Sequence, residues 1–136
     1  MKNDQNNSIT DIKLLPELDI SASSDALNIL ISHDYYSSDT DNGRILLKSL
    51  LNALLYSGKE IDNLFLLDSG VKLIDAEAES YPLLIKLIGI SDKAYICSDS
   101  VQHFNIDPVY FPERLSSLSA DEMFGIILTC NSFLHI

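Results

Sequence analysis

The chain predicts an α/β domain with a mainly parallel sheet of four or five strands and helices on both faces. Short apolar runs of strand length alternate along it with stretches of helical period. The strand candidates are apolar at consecutive positions, as strands covered on both faces must be. Hydrophobic residues make up 46% of the 136, and the mean hydropathy is +0.12, which fits the same doubly covered sheet. One domain of this length can hold such a core.

Residues 1–25 hold most of the low-complexity polarity, with Asn3, Asn6, Asn7 and the Ser21-Ala22-Ser23-Ser24 run, and are expected to form a flexible arm. Ile12, Leu14, Leu15, Leu18 and Ile20 within it make a short docking segment conceivable. The domain proper is expected over 26–136. Its first strand is 26–31, followed by a polar loop carrying His33, Asp34, Asp39 and Asp41. Over 43–57, Leu46, Leu47, Leu50, Leu51, Leu54 and Leu55 recur at helical spacing, and Gly58 marks the stop. Leu47, Leu50, Leu51 and Leu54 are expected on the buried side.

A second strand over 64–67 ends at Asp68-Ser69-Gly70. A helix over 82–88 has Pro82 near its start and Gly89 at its end. The third strand, 94–97, runs into Ser98, Asp99 and Ser100, all good N-cap types, and a helix reaching Asn105. Pro108 and Pro112 bracket a loop with Tyr110 and Phe111, and 115–118 is read as a fourth strand. Ser119-Ala120-Asp121-Glu122 has the form of a capping box, opening a helix through Met123, Ile126 and Ile127. Residues 133–136 can add an edge strand.

Composition narrows the function classes. A formal net charge of −11 with nine scattered basic residues argues against nucleic acid. No apolar run approaches the roughly 18–20 residues of a membrane span, and the polar residues 1–11 do not resemble a signal peptide. Two cysteines with no evident pairing point to a reducing cytoplasm. Cys97, His103, Cys130 and His135 lack the paired short spacings of metal ligands, so no metal is expected. Ser100 and His103 lie in no Gly-x-Ser-x-Gly elbow, and no phosphate-binding glycine motif or cofactor signature is present.

The chemistry-bearing stretch is Cys97-Ser98-Asp99-Ser100, at the carboxyl end of a buried strand and the start of a helix. Thiols at helix starts lie among free backbone N–H groups, which favour thiolate. Cys97 is therefore either a working thiol or a buried strand-end residue, the commoner use of cysteine. Asp34, Asp68 and Asp99 each lie just past a strand and are expected either to converge in an acidic pocket or to cap helices.

Four segments in order carry a resemblance: Ser38 to Ser49, Ser69-Gly70-Val71-Lys72-Leu73, Tyr95 to Ile106, and Ser119 to Ile127. Together they are similar to DsrE/DsrF-like domains, above all to the YedF-like group linked to selenium metabolism, over about residues 26–130. The resemblance implies a DsrE-like three-layer sandwich, homo-oligomeric assembly, a sulfur- or selenium-carrier protein as partner, and, in active members, relay through a cysteine persulfide. Position by position, the first cysteine of the family's Cys-Gly-x-Cys segment falls on Cys97 and the second, the persulfide carrier, on Ser100. The family's glycines fall on Ser98 and Asn105. A serine hydroxyl lacks the acidity and soft nucleophilicity to take up sulfane sulfur. Two expectations follow: a binding or assembly module without the relay, or a sulfurtransferase in which Cys97 replaces the lost nucleophile. Asp34, Asp68, Lys72, Asp99 and His103 are the candidate ligand-binding residues.

Overall fold

The computed structural model of the chain describes residues 26–136; the arm expected over 1–25 lies outside them. Strands β1 (Leu27–Ile31), β2 (Ile61–Leu66), β3 (Ser91–Cys97), β4 (Leu115–Leu118) and β5 (Leu134–His135) form one sheet in the order β4-β3-β2-β1-β5. Every pair is parallel, with Leu30 opposite Phe65, Phe65 opposite Tyr95 and Leu30 opposite His135. Between the strands run α1 (Asp41–Tyr56), a 3-10 segment Asp68–Ile74, α2 (Tyr81–Ile90), α3 (Ser98–His103), a 3-10 turn Pro108–Tyr110 and α4 (Ala120–Ile127). No helix among the described residues is long and apolar enough to cross a membrane.

Strand order explains the layering. From β1 through β4 the chain steps across the sheet in one direction, so right-handed crossovers put α1, α2 and α3 on one face. The return from β4 to β5 steps the other way and carries α4 to the opposite face. On the first face, Ile29, Ile31, Leu64, Leu66, Ala94 and Ile96 pack against Leu47, Leu51 and Leu54 of α1 and Leu84, Leu87 and Ile88 of α2. Leu50 is only half-buried, because the inward stripe of α1 runs through 47, 51 and 54 and leaves it on the flank.

The second face is thinner. Phe65, Cys97 and Met123 are its buried centre, with Leu30, Tyr95, Leu118 and Phe133 half-buried around them. The eight residues of α4 extend about 12 Å, while five strands at about 4.8 Å spacing are about 19 Å wide. Among the described residues one short helix cannot cover such a sheet, and its outer rows are only half-buried.

Local signals set most element ends. Thr40 Oγ1 accepts the Gly43 N–H at 3.0 Å and starts α1 two residues before the expected glycine. β2 and β3 each begin three residues ahead of their apolar runs, since backbone pairing of Ile61 with both Leu27 and Ser91 carries Asp62 and Asn63 into the sheet. The α3 helix ends at His103, with Asn105 at φ +55, rather than running on to Asn105.

The capping box at α4 is formed. Ser119 Oγ accepts the Glu122 N–H at 3.2 Å, and the Ser119 N–H donates to Glu122 Oε1 at 2.9 Å. Ser119→Ala is expected to lower stability by about 1 kcal/mol, read as a lower urea midpoint at unchanged slope. An unchanged midpoint would show that the cover of the second face does not depend on this cap.

Candidate functional site at the carboxyl edge of the sheet

Because all strands are parallel, their carboxyl ends share one edge, where α/β proteins build their sites. There β1 runs out into Ser32-His33-Asp34, β2 into Asp68-Ser69-Gly70, and β3 into Ser98-Asp99-Ser100.

Ser100 is occupied. Its Oγ accepts the Asp68 N–H at 2.8 Å, and Asp68 stands at φ +50, in the left-handed region. A non-glycine residue there costs on the order of 1–3 kcal/mol and needs surrounding support, which the Ser100 hydroxyl provides. Asp99 serves α4: its Oδ2 accepts the Ala120 N–H at 2.8 Å, placing a carboxylate at a helix start. Cys97, 3% exposed, packs with Phe65 and Met123. Its surroundings are those of a buried strand-end residue. Cys130 is half-buried, its Sγ 3.6 Å from the Ile126 carbonyl oxygen. His103 is exposed and meets the Phe104 ring edge-on at 4.7 Å between centroids.

Asp34 and Lys72 are brought together. Lys72 Nζ lies 3.7 Å from Asp34 Oδ2 and also 5.4 Å from the centre of the Phe104 ring. The Asp34 N–H donates to Ser69 Oγ at 3.3 Å, tying the loop after β1 to the loop after β2. The structure gives Asp34, Asp68 and Asp99 separate partners. Asp99 caps a helix, Asp68 is held through its backbone, and among the described residues Asp34 is the one of the three that turns to a cation.

Both glycine-bearing segments of the resemblance have a steric reason. A Cβ on Gly70 would run into the Ile31 carbonyl, with the carbonyl carbon at 2.9 Å. A Cβ on Gly43 would collide with the Ser38 carbonyl in the same way. These residues let the 3-10 segment and the acidic loop close onto β1 and α1.

Sequence reasoning missed one cluster. Ser32 Oγ donates to the Ile136 carbonyl at 3.2 Å, and its oxygen lies 3.2 Å from His33 Nδ1 and 2.9 Å from His135 Nε2. Tyr35 and Tyr36 complete the wall of an open cleft of about 400 Å3 there. Nothing in the sequence joins Ser32 to a residue 103 positions away; only the β1–β5 pairing does. Neither ring has a carboxylate partner among the described residues. No group of three or more His, Cys, Asp or Glu among the described residues is placed to hold a metal ion.

No family model matches the chain, and no curated protein does. Solved structures do. A conserved protein of unknown function from Bacteroides thetaiotaomicron superposes with a TM-score of 0.57 at 16% identity, over 85% of this chain and 97% of that one. A protein of unknown function from Methanobacterium thermoautotrophicum superposes with a TM-score of 0.55 at 15% identity, over 82% of this chain and 96% of that one. At such identities the likeness is one of fold: this chain is an α/β protein with the same architecture as both.

Proposed function

We propose that this chain is a DsrE-like domain in sulfur or selenium metabolism that has lost persulfide relay and serves as a binding or assembly module. The reading is supported above all by Ser100. At the position of the family's persulfide cysteine stands a hydroxyl that accepts the Asp68 N–H at 2.8 Å and holds a left-handed turn. The residue has a structural task there, and its chemistry excludes sulfane sulfur. Burial of Cys97 beneath α4 also favours the module, since a relay thiol must meet its donor. Exposed apolar residues, Phe124 and Leu128 on and after α4 and Val109 and Tyr110 on the 3-10 turn, offer surface for a second copy or a carrier protein.

Incubation with a low-molecular-weight persulfide, followed by intact-mass measurement, is expected to leave no added sulfur on Cys97 or Cys130. Ser100→Cys puts a sulfur against the Asp68 N–H, which stabilises a thiolate. That thiol is expected to alkylate at neutral pH at least about ten-fold faster than buried Cys97. Uptake of one labile sulfur by the unmodified protein, abolished by Cys97→Ser, would overturn the proposal and make the chain a sulfurtransferase with a relocated nucleophile.

A further inference from the structure

We propose that Asn42 is a latent site of covalent self-modification: it converts to isoaspartate once the first turn of α1 opens, and Thr40 keeps that turn closed. Asn42-Gly43 is the one Asn-Gly pair in the sequence. In such a pair the glycine nitrogen, with no side chain beside it to hinder approach, attacks the asparagine Cγ. The new N–Cγ bond closes a five-membered succinimide. The Cγ–Nδ2 bond breaks, and Nδ2 leaves as ammonia with the proton from the glycine N–H. Water then opens the ring, and opening at the main-chain carbonyl leaves the chain running through the former side chain, as isoaspartate. The step is a hydrolysis, and nothing is oxidised or reduced.

The side chain that must react is exposed, while Gly43 beside it is buried and its nitrogen is restrained. Both residues lie in the first turn of α1, whose helical ψ holds the Gly43 nitrogen away from the Asn42 Cγ. The Gly43 N–H donates to Thr40 Oγ1 at 3.0 Å, and Ser38 Oγ lies 2.9 Å from the same oxygen. The Gly43 carbonyl accepts the Tyr36 N–H at 2.9 Å, which ties the loop after β1 to this turn. Ring closure therefore requires a local opening in which the cap is lost.

The product does not fit the closed turn. Isoaspartate adds one carbon to the main chain ahead of Gly43, a step of about 1.5 Å. Hydrogen bonds tolerate a few tenths of an ångström, so the Thr40–Gly43 and Tyr36–Gly43 bonds cannot both survive. The loop that carries His33, Tyr35 and Tyr36 of the open cleft then loses its anchor on α1. Modification at Asn42 thus loosens one wall of the candidate site irreversibly.

Incubation of the full chain at mildly alkaline pH, with isoaspartate in place of Asn42 quantified over time by peptide mapping, tests this. The folded protein is expected to accumulate it at least about ten-fold more slowly than the same chain in urea. Thr40→Ala is expected to speed accumulation in the folded protein about five-fold, the effect of a lost cap on the population of the open turn. Thr40→Ser keeps an oxygen acceptor and is expected to match the unmodified protein. Ser119→Ala removes the corresponding cap from α4 and is expected to leave the rate at Asn42 unchanged, which separates local from global opening. Equal rates in the folded and unfolded chains would overturn the proposal. So would a Thr40→Ala rate no higher than that of the unmodified protein, or equal acceleration by Ser119→Ala. No thiol takes part, so this inference and the sulfur reading can fail separately.

Discussion

Phe65→Ala is expected to destabilise the domain by about 3–5 kcal/mol, the range for removing a fully buried aromatic side chain. Phe65 is 0% exposed and lies on the central strand β2, on the face covered by α4. Its ring stacks on Tyr95 at 5.4 Å and 20° and meets Phe133 at 5.9 Å and 50°. Such aromatic contacts add about 0.5–1.5 kcal/mol each beyond the buried area. The first face spreads its packing over α1, α2 and the 3-10 segment, so one deletion there leaves many contacts intact. Among the described residues the second has one eight-residue helix, and Met123 and Phe65 are its fully buried side chains. Removing the ring leaves α4 little to rest on. Urea unfolding followed by far-UV circular dichroism measures the loss, and a change below about 1 kcal/mol would mean that this face relaxes around the vacancy.

Gly70→Ala is expected to cost about 3 kcal/mol, the upper part of the range for forcing extra volume into a packed site. The added methyl would strike the Ile31 carbonyl, a backbone group that cannot turn aside as a side chain can. That carbonyl also accepts the Leu67 N–H at 3.1 Å, so any retreat disturbs the crossing between β1 and β2. Gly89 provides the contrast. It lies inside α2 with nothing within 4 Å of a built Cβ, so Gly89→Ala is expected to stabilise by up to about 1 kcal/mol through helix propensity. Opposite signs in thermal unfolding would confirm that contact rather than backbone freedom fixes Gly70; equal signs would refute it.

Much of the architecture was legible one element at a time. The β4 bounds, the Ser119–Glu122 box and the inward leucines 47, 51 and 54 all follow from neighbours within four positions, and the structure keeps them. The early starts of β2 and β3 were hidden because Asp62, Asn63 and Lys93 interrupt the apolar pattern, while Asn63 and Lys93 pair with each other and Asp62 stands at a shift in the β1–β2 register. Asn63 keeps its place by donating to Asn28 Oδ1 at 3.0 Å, a bond between residues 35 apart.

The candidate site divides the same way. Residue type and position were enough to mark Asp34, Cys97, Asp99 and Ser100 as lying at strand ends, and ordered motifs marked Gly43, Gly70 and Lys72. Their partners were not legible. Ser100 meets Asp68, Asp99 meets Ala120, and Ser32 gathers two histidines only because β5 returns to the far side of β1. Periods of 2 and 3.6 are written by near neighbours and survive any arrangement of the elements. Partners across loops depend on strand order and register, where a slip of one residue turns every side chain to the other face. Short-range chemistry therefore settles which pieces this chain makes, and long-range pairing settles which aspartate meets a lysine, which serine is used as a clamp and which cysteine is buried.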